Sequence, residues 1–457
     1  MSLLAAHLND AGISFLNSEG VLYREPGFAL LDDDELTTGS KAFTQARIKP
    51  RRIQNKFWSS LDTTSLADNR FHHLSAADLV SRQLEQAWAQ VAGNDDQVVL
   101  AVPPYMSGEN LGLLLGIAAE LNVPIVGMVD AAVAATRRQY KNAVPVHIDL
   151  SLHAALLTRI SQGGQAQVDR SVVAEDCGVL ALNETWIRTI AEAFVQQSRF
   201  DPLHTAETEQ VLQDNLSKWL ASASASAGAK VEMQVDYRGI SHQAELNILE
   251  FVAAAAPVYH QIVSNLRALY RADEVPALQL TDRAARMPGF ADILGARVGG
   301  ELFMLESGAT ARGLLARCQT MRNDGAAISL VRQLPWDQSA AVVKLEESVR
   351  DEGQPTHLLF DNIAYAIDPE PLTLGSQSID GERYIELQQD MPGVSRRHCS
   401  LQLENGQCIV RDFSRYGTFL NGHGIDGSAV LQVGDLIRLG TPGYELRLIA
   451  LEGARGS

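Results

Sequence analysis

Short apolar runs and longer amphipathic stretches alternate along the first three quarters of the chain. Apolar runs of strand length lie at 97–103, 123–129, 144–150 and 277–281. Helical patterns lie between or after them, at 111–121, 130–140, 181–200, 244–270 and from Pro288 onward. The segment 221–228, which reads ASASASAG, is of low complexity and predicts an exposed loop or a frayed helix end. Strands that alternate with helices indicate an α/β domain with a buried sheet.

The last quarter of the chain has a different pattern, in which short apolar strands alternate with four polar, glycine-rich loops. The loops lie at 374–376, 394–398, 412–422 and 434–440. They carry hydroxyl groups, guanidinium groups and backbone N–H groups that we expect to converge on one anion. Proteins hold a phosphate dianion through charge-assisted hydrogen bonds from such groups. The pattern therefore predicts a β domain that binds a phosphorylated peptide.

A charged segment that ends in glycine and proline separates the two patterns at 345–355. We place a linker there, with the α/β region at 1–344, the β region at 356–452 and a short tail at 453–457. The length of 457 residues agrees with about three domain-sized units.

Composition narrows the functional classes. The net charge of −17 argues against a nucleic-acid partner, because surfaces that bind nucleic acid carry basic stripes. No apolar run reaches the roughly 18 residues of a membrane helix, so membrane insertion is not expected. The four cysteines are scattered without metal-type spacing, and no Ser/His/Asp or Cys/His set stands out. We therefore expect reduced thiols, a cytoplasmic location, no metal site and no catalytic residues.

The order and spacing of the four C-terminal loops closely resemble the forkhead-associated (FHA) family, whose members are β-sandwiches that recognise phosphothreonine. The resemblance implies phosphopeptide-binding roles for Ser376, Ser395, Arg396, Arg415, Tyr416 and Asn421. It also implies structural roles for Gly375, His398 and Gly417.

Two departures from the family pattern affect the phosphate contacts. Ser376 stands where the family has an arginine that clamps the phosphate or the peptide backbone, and Arg415-Tyr416 replaces a common Thr-Asn pair. The loss of one charged hydrogen bond costs roughly 1.5–3 kcal/mol. Arg396 or Arg415 could offset this cost, because an arginine binds a phosphate bidentately. Phosphate-independent binding through the same loops remains the alternative.

Residues 1–344 resemble the nucleotide-binding domain of DnaK-type heat-shock chaperones, in the actin-like ATPase superfamily. Fragments similar to the family's motifs follow in the family's order, at 10–14, 99–105, 129–135, 147–150, 280–290 and 309–315. The resemblance implies an α/β two-lobed actin-like ATPase fold, with a sheet flanked by helices in each lobe around a central cleft. An all-β FHA sandwich then follows in place of the chaperone's substrate-binding domain.

The resemblance also implies a vestigial nucleotide site. Its candidate residues are Asp10, Gly12, Ser14, Asp149 and Asp282. The family's Asp-Leu-Gly-Gly-Gly-Thr loop is replaced at 149–154 by Asp-Leu-Ser-Leu-His-Ala, and Asp282-Arg283 replaces a Gly-Gly pair. Phosphate loops need glycine because their backbone N–H groups approach the phosphates closely. We expect Leu152, His153, Asp282 and Arg283 to obstruct the cleft. Binding of ATP or ADP with Mg²⁺, held through water by Asp10 and Asp149, stays open as an alternative.

These patterns together predict a bacterial, cytoplasmic adaptor or scaffold. Its FHA domain would recognise a phosphothreonine-containing protein, which implies a Ser/Thr kinase in the same cell, and its DnaK-like domain would be a pseudo-ATPase. One alternative is an ATP-dependent, chaperone-like protein whose FHA domain recruits clients. Another is a structural subunit of a larger assembly.

Overall fold

A computed structural model of the protein describes most of the chain. The described residues are 3–32, 35–93, 96–225, 230–271, 274–318, 328–340, 343–344, 354–360, 363–377, 383–387, 393–439 and 444–450. The chain divides into two compact units, one of residues 1–270 and 275–344, the other of residues 271–274 and 345–457. The predicted linker at 345–355, except its last two residues, and the predicted tail at 453–457 lie outside the described residues.

The first unit mixes strands and helices, as the apolar pattern predicts. Its elements up to residue 135 are β1 (Leu3–His7), β2 (Ile13–Leu16), β3 (Val21–Glu25), β4 (Ala29–Asp32), β5 (Glu35–Thr38), α1 (Ser40–Phe43), β6 (Ile53–Gln54), α2 (Ala76–Val91), β7 (Gln97–Val102), α3 (Gly108–Glu120), β8 (Ile125–Asp130) and α4 (Ala131–Ala135). The elements that follow are β9 (Tyr140–Lys141), β10 (Val144–Leu150), β11 (Ala154–Gln162), β12 (Gln165–Glu175), α5 (Val179–Ser198), α6 (Ala206–Ala225), β13 (Lys230–Tyr237), β14 (Ile240–Asn247), α7 (Ile248–Arg267), β15 (Pro276–Leu280), α8 (Asp282–Ala285), α9 (Phe290–Val298), β16 (Glu301–Met304), α10 (Ala309–Arg317), β17 (Leu330–Val331), β18 (Gln333–Pro335) and β19 (Val343–Lys344).

Two six-stranded sheets of the first unit share one arrangement. In the first sheet, β1, β2 and β3 form an antiparallel meander, and β7 and β8 lie parallel to β1 on its other side. In the second, β10, β11 and β12 form the meander, and β15 and β16 lie parallel to β10. The strands β1 and β10 therefore have equivalent positions in the strand order of their sheets.

Each sheet has its own buried core, and a third core contains residues from both. The first core includes Phe15, Trp58 and Leu100, and the second includes Trp186, Phe251 and Tyr259. The third joins strands of both sheets to α4 and α10 through small side chains. Because such small side chains let backbones approach closely, the two sheets and these helices form one packed body.

Two elements differ from the predicted pattern. The helix predicted at 130–140 ends at Ala135, where the Arg317 side chain donates to the carbonyl groups of Val133, Ala134 and Thr136. The helix predicted from residue 244 begins at Ile248, because residues 240–247 pair with β13 as the hairpin strand β14. The Asn247 side chain caps α7 by accepting from the Glu250 N–H at 3.1 Å.

The second unit contains only strands among its described elements. They are β20 (His357–Phe360), β21 (Ile363–Ala366), β22 (Leu372–Gly375), β23 (Arg383–Glu386), β24 (Cys399–Glu404), β25 (Gln407–Asp412), β26 (Thr418–Leu420), β27 (His423–Gly424), β28 (Ser428–Val430), β29 (Leu436–Leu439) and β30 (Tyr444–Ile449). One sheet has the order β21-β20-β30-β29-β26-β27 and the other β23-β22-β24-β25-β28. Alternate side chains of both sheets, such as Leu374, Leu401 and Leu448, fill one core. The prediction of a C-terminal β-sandwich is confirmed.

Candidate functional sites

The first candidate site is formed by the loops that follow β22, precede β24 and follow β25. Gly375 ends β22, and a Cβ at this position would collide with the carbonyl oxygen of Arg396. The Tyr384 hydroxyl donates to the same carbonyl. The next residue, Ser376, donates its backbone N–H to the Ser395 carbonyl at 3.1 Å. Glycine is needed at position 375 because the next loop approaches it too closely for a side chain.

His398 is fully buried beneath these loops and joins two of them. Its Nδ1 accepts from the Ser395 N–H at 3.1 Å, and its Nε2 lies 3.3 Å from the Gly417 carbonyl oxygen. These partners assign the ring hydrogen to Nε2, which makes the imidazole neutral. Burial lowers the pKa of His398, which agrees with this neutral form. His398 therefore links the loop before β24 to the turn after β25.

Ser395 has a hydroxyl group whose hydrogen has no acceptor among the described residues. Its Oγ accepts from the backbone N–H of Arg415 at 3.1 Å. A serine hydroxyl donates one hydrogen and accepts through two lone pairs, so this contact uses an acceptor site alone. The side chain is half-buried, which leaves one side of the hydroxyl toward solvent. Ser395 therefore presents a donor that the neighbouring loop holds in position.

The turn that contains Arg415 is stabilised by the Asp412 carboxylate. Its Oδ1 accepts from the Ser414 N–H at 2.9 Å and from the Thr418 hydroxyl at 2.8 Å. Burial alone would raise the pKa of Asp412, but the hydrogen bonds from Ser414 and Thr418 lower it. Gly417 in this turn has φ of 89°, a conformation that glycine adopts without strain, and its N–H donates to Ser414 Oγ at 2.7 Å.

Exposed arginine residues lie next to Ser395 in the sequence or in the loop that contacts it. Arg396 and Arg415 are exposed and make no side-chain hydrogen bond or ion pair within the described part of the chain. Tyr416 is also exposed, at 63%. Arg397 stacks its guanidinium 4.3 Å from the ring centre of Phe413. Of the predicted binding residues, contacts between these loops bring Ser376, Ser395 and Arg415 together.

Asn421, which we predict to contact the peptide, uses its side-chain amide for hydrogen bonds within the domain. Its Nδ2 donates to Asp435 Oδ1 at 2.8 Å, and its Oδ1 accepts from the Leu436 N–H at 2.9 Å. The residue has φ of 49°, in the left-handed region that asparagine tolerates better than most residues. The amide is therefore used to hold the turn after β26 against the start of β29, and the structure gives Asn421 a bracing role.

The second candidate site lies in the first unit, around the Asp149 carboxylate at the end of β10. Its Oδ1 accepts from the Thr281 hydroxyl at 2.7 Å and from the Leu150 N–H at 2.9 Å, and its Oδ2 accepts from Asn9 Nδ2 at 2.7 Å. Arg283 lies 3.5 Å from Oδ1. Burial alone would raise the pKa of Asp149, but Arg283 and the Thr281 hydrogen bond help to hold it below its usual range. The carboxylate is thus ionised and fully engaged by protein donors.

Arg283 occupies the space between the two predicted phosphate loops. Its Nη1 donates to the Leu150 carbonyl at 2.7 Å. Its Nη2 would lie 2.8 Å from a Cβ built on Gly12, so the guanidinium sits directly against the first loop. The predicted obstruction of the cleft by this residue agrees with its position.

The other three residues that we expect to obstruct the cleft have different partners. Leu152 is buried in a small apolar cluster with Phe28. His153 Nε2 lies 3.0 Å from the Asn55 carbonyl oxygen. The Asp282 carboxylate pairs with Arg286 at 2.8 Å, one turn further along α8, although Asp282 still lines the cleft. The expectation for Leu152 and His153 is therefore wrong, because each found a partner outside the cleft.

Asp10 and His7 each have one buried side-chain atom without a hydrogen-bond partner in the described part of the chain. Asp10 Oδ1 accepts from the Leu152 N–H at 2.7 Å, while Oδ2 has none. Burial raises the pKa of Asp10 to about 6. His7 Nε2 lies 3.8 Å from Asp149 Oδ2, and burial lowers the pKa of His7 to about 4. Both groups are therefore close to their neutral forms at mildly acidic pH.

The cleft around these groups is too small for a nucleotide. It encloses about 20 Å³, and its lining includes Gly12, Ser14, Arg24, Asp149 and Arg283. That space holds about one water molecule, whereas small-molecule sites in proteins measure roughly 300–1,000 Å³. The Asp149 oxygens that would face Mg²⁺ through water already accept from protein donors, beside a guanidinium. The residues present do not fit a nucleoside triphosphate with Mg²⁺.

Sequence reasoning missed several residues that shape these sites. Asn9 and Thr281 complete the shell of Asp149, and each is next to a residue that the family resemblance singles out. Arg47 ties the segment after α1 to α5 and α6, since it pairs with Glu184 and lies 2.9 Å from Glu209. Only the tertiary structure reveals these two pairs, because Arg47 lies more than 130 residues from both glutamates.

Further properties of the described residues bear on function. No helix among them combines the length and the apolar character needed to cross a membrane. No group of three or more His, Cys, Asp or Glu side chains within the described ranges is placed to hold a metal ion. The four cysteines are free and buried.

Comparison with known proteins identifies one part of the chain. Residues 373–440 match the model of the FHA domain family, so the chain contains an FHA domain. The match covers all of the loops that form the first candidate site. It does not extend to residues 1–344, whose resemblance to DnaK-type chaperones stays a prediction. No curated protein matches the chain.

Proposed function

From the FHA domain in residues 373–440, we propose that the protein is an adaptor that docks a phosphothreonine-containing partner. The observation that carries this proposal is the Ser395 hydroxyl, which has its hydrogen free and is held by the Arg415 backbone. Arg396 and Arg415 flank it with exposed guanidinium groups. The proposal implies a Ser/Thr kinase that acts on the partner, and it fits a cytoplasmic, bacterial setting.

The chemistry of these groups suits a phosphate dianion. A phosphothreonine carries a charge of about −1.5 to −2 and offers three acceptor oxygens. One hydroxyl donor and two arginine side chains supply donors and positive charge for those oxygens. Ser376 has no charged group to contribute, so Arg396 and Arg415 take the part that an arginine after Gly375 plays in the family.

For the first unit we propose an actin-like fold that acts as a scaffold without ATP turnover. Support comes from the repeated arrangement of its two sheets, in which a three-stranded meander is extended by two parallel strands. The cleft of about 20 Å³ and the guanidinium of Arg283 inside it oppose nucleotide binding. An ATP-dependent chaperone would need space that this cleft does not contain, and we therefore favour the scaffold.

Fluorescence anisotropy of the full chain with a phosphothreonine peptide library and its unphosphorylated copy tests the first part. We expect phosphate-dependent binding that falls about tenfold or more in Arg396→Ala, the loss that one charge-assisted bond predicts. Ser376→Arg should tighten binding. Arg411→Ala is the matched control, because Arg411 is an exposed arginine of β25 that pairs with Glu404. Equal binding of both libraries, unchanged in Arg396→Ala, would mean that the partner binds another surface.

Calorimetry with ATP and Mg²⁺ tests the second part. We expect affinity far below that of a DnaK-type chaperone, or none, because Arg283 and the small volume leave no room for the phosphates. Turnover at a chaperone-like rate that is lost in Asp149→Ala would refute the scaffold proposal.

A further inference from the structure

Arg397 and Phe413 form an exposed pair beside the proposed phosphothreonine site. The guanidinium carbon lies 4.3 Å from the ring centre of Phe413, which is itself 45% exposed. The ring packs against the guanidinium of Arg397, which is itself exposed.

The backbone fixes this pair close to the Ser395 hydroxyl. The Phe413 N–H donates to the His398 carbonyl at 2.8 Å, and His398 directly follows Arg397. Arg397 is two residues from Ser395, so their Cα atoms are at most about 7.6 Å apart. A peptide bound at Ser395 therefore passes within reach of the Arg397 side chain.

The charges of the loops leave Arg397 without an opposite charge. A phosphothreonine of about −2 is balanced by Arg396 and Arg415. Arg397 then remains as a third exposed cation, and it makes no hydrogen bond or ion pair with the described residues. Its planar donors match a carboxylate bidentately.

We propose that Arg397, oriented by Phe413, selects an acidic side chain near the phosphothreonine. This inference rests on the proposed phosphopeptide function and narrows its ligand to acidic phosphothreonine segments. An extended peptide advances about 3.3 Å per residue, so the acidic residue lies within about four positions of the phosphothreonine. Arg397 is a specificity residue in this arrangement, and Phe413 is a positioning residue.

The test uses the full chain and phosphothreonine peptides in which Glu is placed in turn at each of the four positions on either side. Glutamine at the same position is the neutral comparison. We expect Glu to bind about three- to fivefold tighter than Gln at one or more positions, the range of a well-oriented exposed ion pair. The preference should shrink as salt is raised.

Three variants separate this role from general binding. Arg397→Gln should abolish the Glu preference and leave the ratio of phosphorylated to unphosphorylated binding unchanged. Phe413→Leu should weaken the preference, because it keeps apolar bulk and removes the aromatic face, while Phe413→Tyr should keep it. Arg411→Ala, the control in β25, should change neither quantity.

The outcomes distinguish the two proposals. If wild-type protein binds phosphorylated and unphosphorylated peptides equally, the phosphopeptide function fails and this inference fails with it. If binding is phosphate-dependent but Glu equals Gln at every position, the selectivity alone is refuted. A Glu preference that persists in Arg397→Gln also refutes the role of Arg397.

Discussion

The cleft of the first unit and the loops of the FHA domain contain similar groups in opposite states. Both have an arginine, a hydroxyl and a glycine that a neighbouring group approaches closely. In the cleft, Arg283 donates to Leu150 and faces Asp149. In the FHA loops, Arg396 and Arg415 are exposed, and their side chains have no partner among the described residues.

The hydroxyl groups differ in the same way. Thr281 donates its hydrogen to Asp149 Oδ1 at 2.7 Å, so its donor is used inside the protein. Ser395 accepts from the Arg415 N–H, and its own hydrogen has no acceptor in the described part of the chain. A residue type therefore does not identify an anion site by itself. An anion site requires hydrogen-bond donors that the fold holds in place and that no other protein group already uses.

The largest effect should come from removing the cation that fills the cleft. Arg283→Ala leaves the buried Asp149 carboxylate and the Leu150 carbonyl short of a partner, and we expect a loss of about 2–4 kcal/mol in the free energy of unfolding. Tryptophan fluorescence during urea denaturation measures it, because all five tryptophans lie in residues 1–344.

The control for that variant is Arg286→Ala, at the residue that directly follows the same short helix. Arg286 is 67% exposed and pairs with Asp282 at the surface, so its loss should cost less than about 0.5 kcal/mol. If both variants lost the same free energy of unfolding, the buried contacts of one arginine would contribute no more to stability than the surface pair of the other.

A smaller effect should follow from Asn421→Ala in the FHA domain. The change removes two side-chain hydrogen bonds and places alanine at φ of 49°, so we expect a loss of about 2 kcal/mol. Hydrogen exchange of the Leu436 N–H measures this loss, because that N–H donates to the Asn421 side chain and should exchange faster without it.

Asn421→Gly separates the two causes, because glycine keeps the backbone conformation and loses only the amide bonds. The ratio of phosphorylated to unphosphorylated peptide binding should stay the same in both variants. A ratio that collapses would assign Asn421 to the peptide surface instead.

The smallest effect concerns the pH dependence of the cleft. The pKa of Asp10 is raised to about 6, so its contribution to stability is lost as pH rises from 4 to 6. The pKa of His7 is lowered to about 4, so its contribution is lost as pH falls from 6.5 to 4. The two contributions oppose each other in the wild-type protein.

Single variants should change the pH dependence of the free energy of unfolding in opposite directions. Relative to wild type between pH 4 and 6, the free energy of unfolding should rise with pH in Asp10→Asn and fall with pH in His7→Gln. Each difference should approach about 1.4 kcal/mol per pH unit, the value for one proton. Urea denaturation at pH 4.5, 5.0 and 5.5 measures it. Slopes of the same sign would mean that the cleft admits water and does not bury these groups.

Local sequence was sufficient to predict an element where its residue pattern fits a single type of secondary structure. The strand predicted at 144–150 is β10 with its observed bounds, because Val146, Ile148 and Leu150 alternate along it and form one face that packs into the core. The order of the FHA loops likewise led to Ser395 and His398. The helix predicted from 244 failed because alternating residues of a hairpin strand also fit a short helical pattern, and pairing with β13 decided between them.

The sequence by itself therefore determined which groups each loop carries: the hydroxyls, arginines and lost glycines. Only the tertiary structure decided which of those groups are still available. Arg283 meets Gly12 from a segment about 270 residues away, and Asn421 meets Asp435 where two paired strands of one sheet, β26 and β29, lie side by side. Hydrogen bonds and ion pairs depend on distances of a few ångströms between atoms, and long-range folding sets those distances.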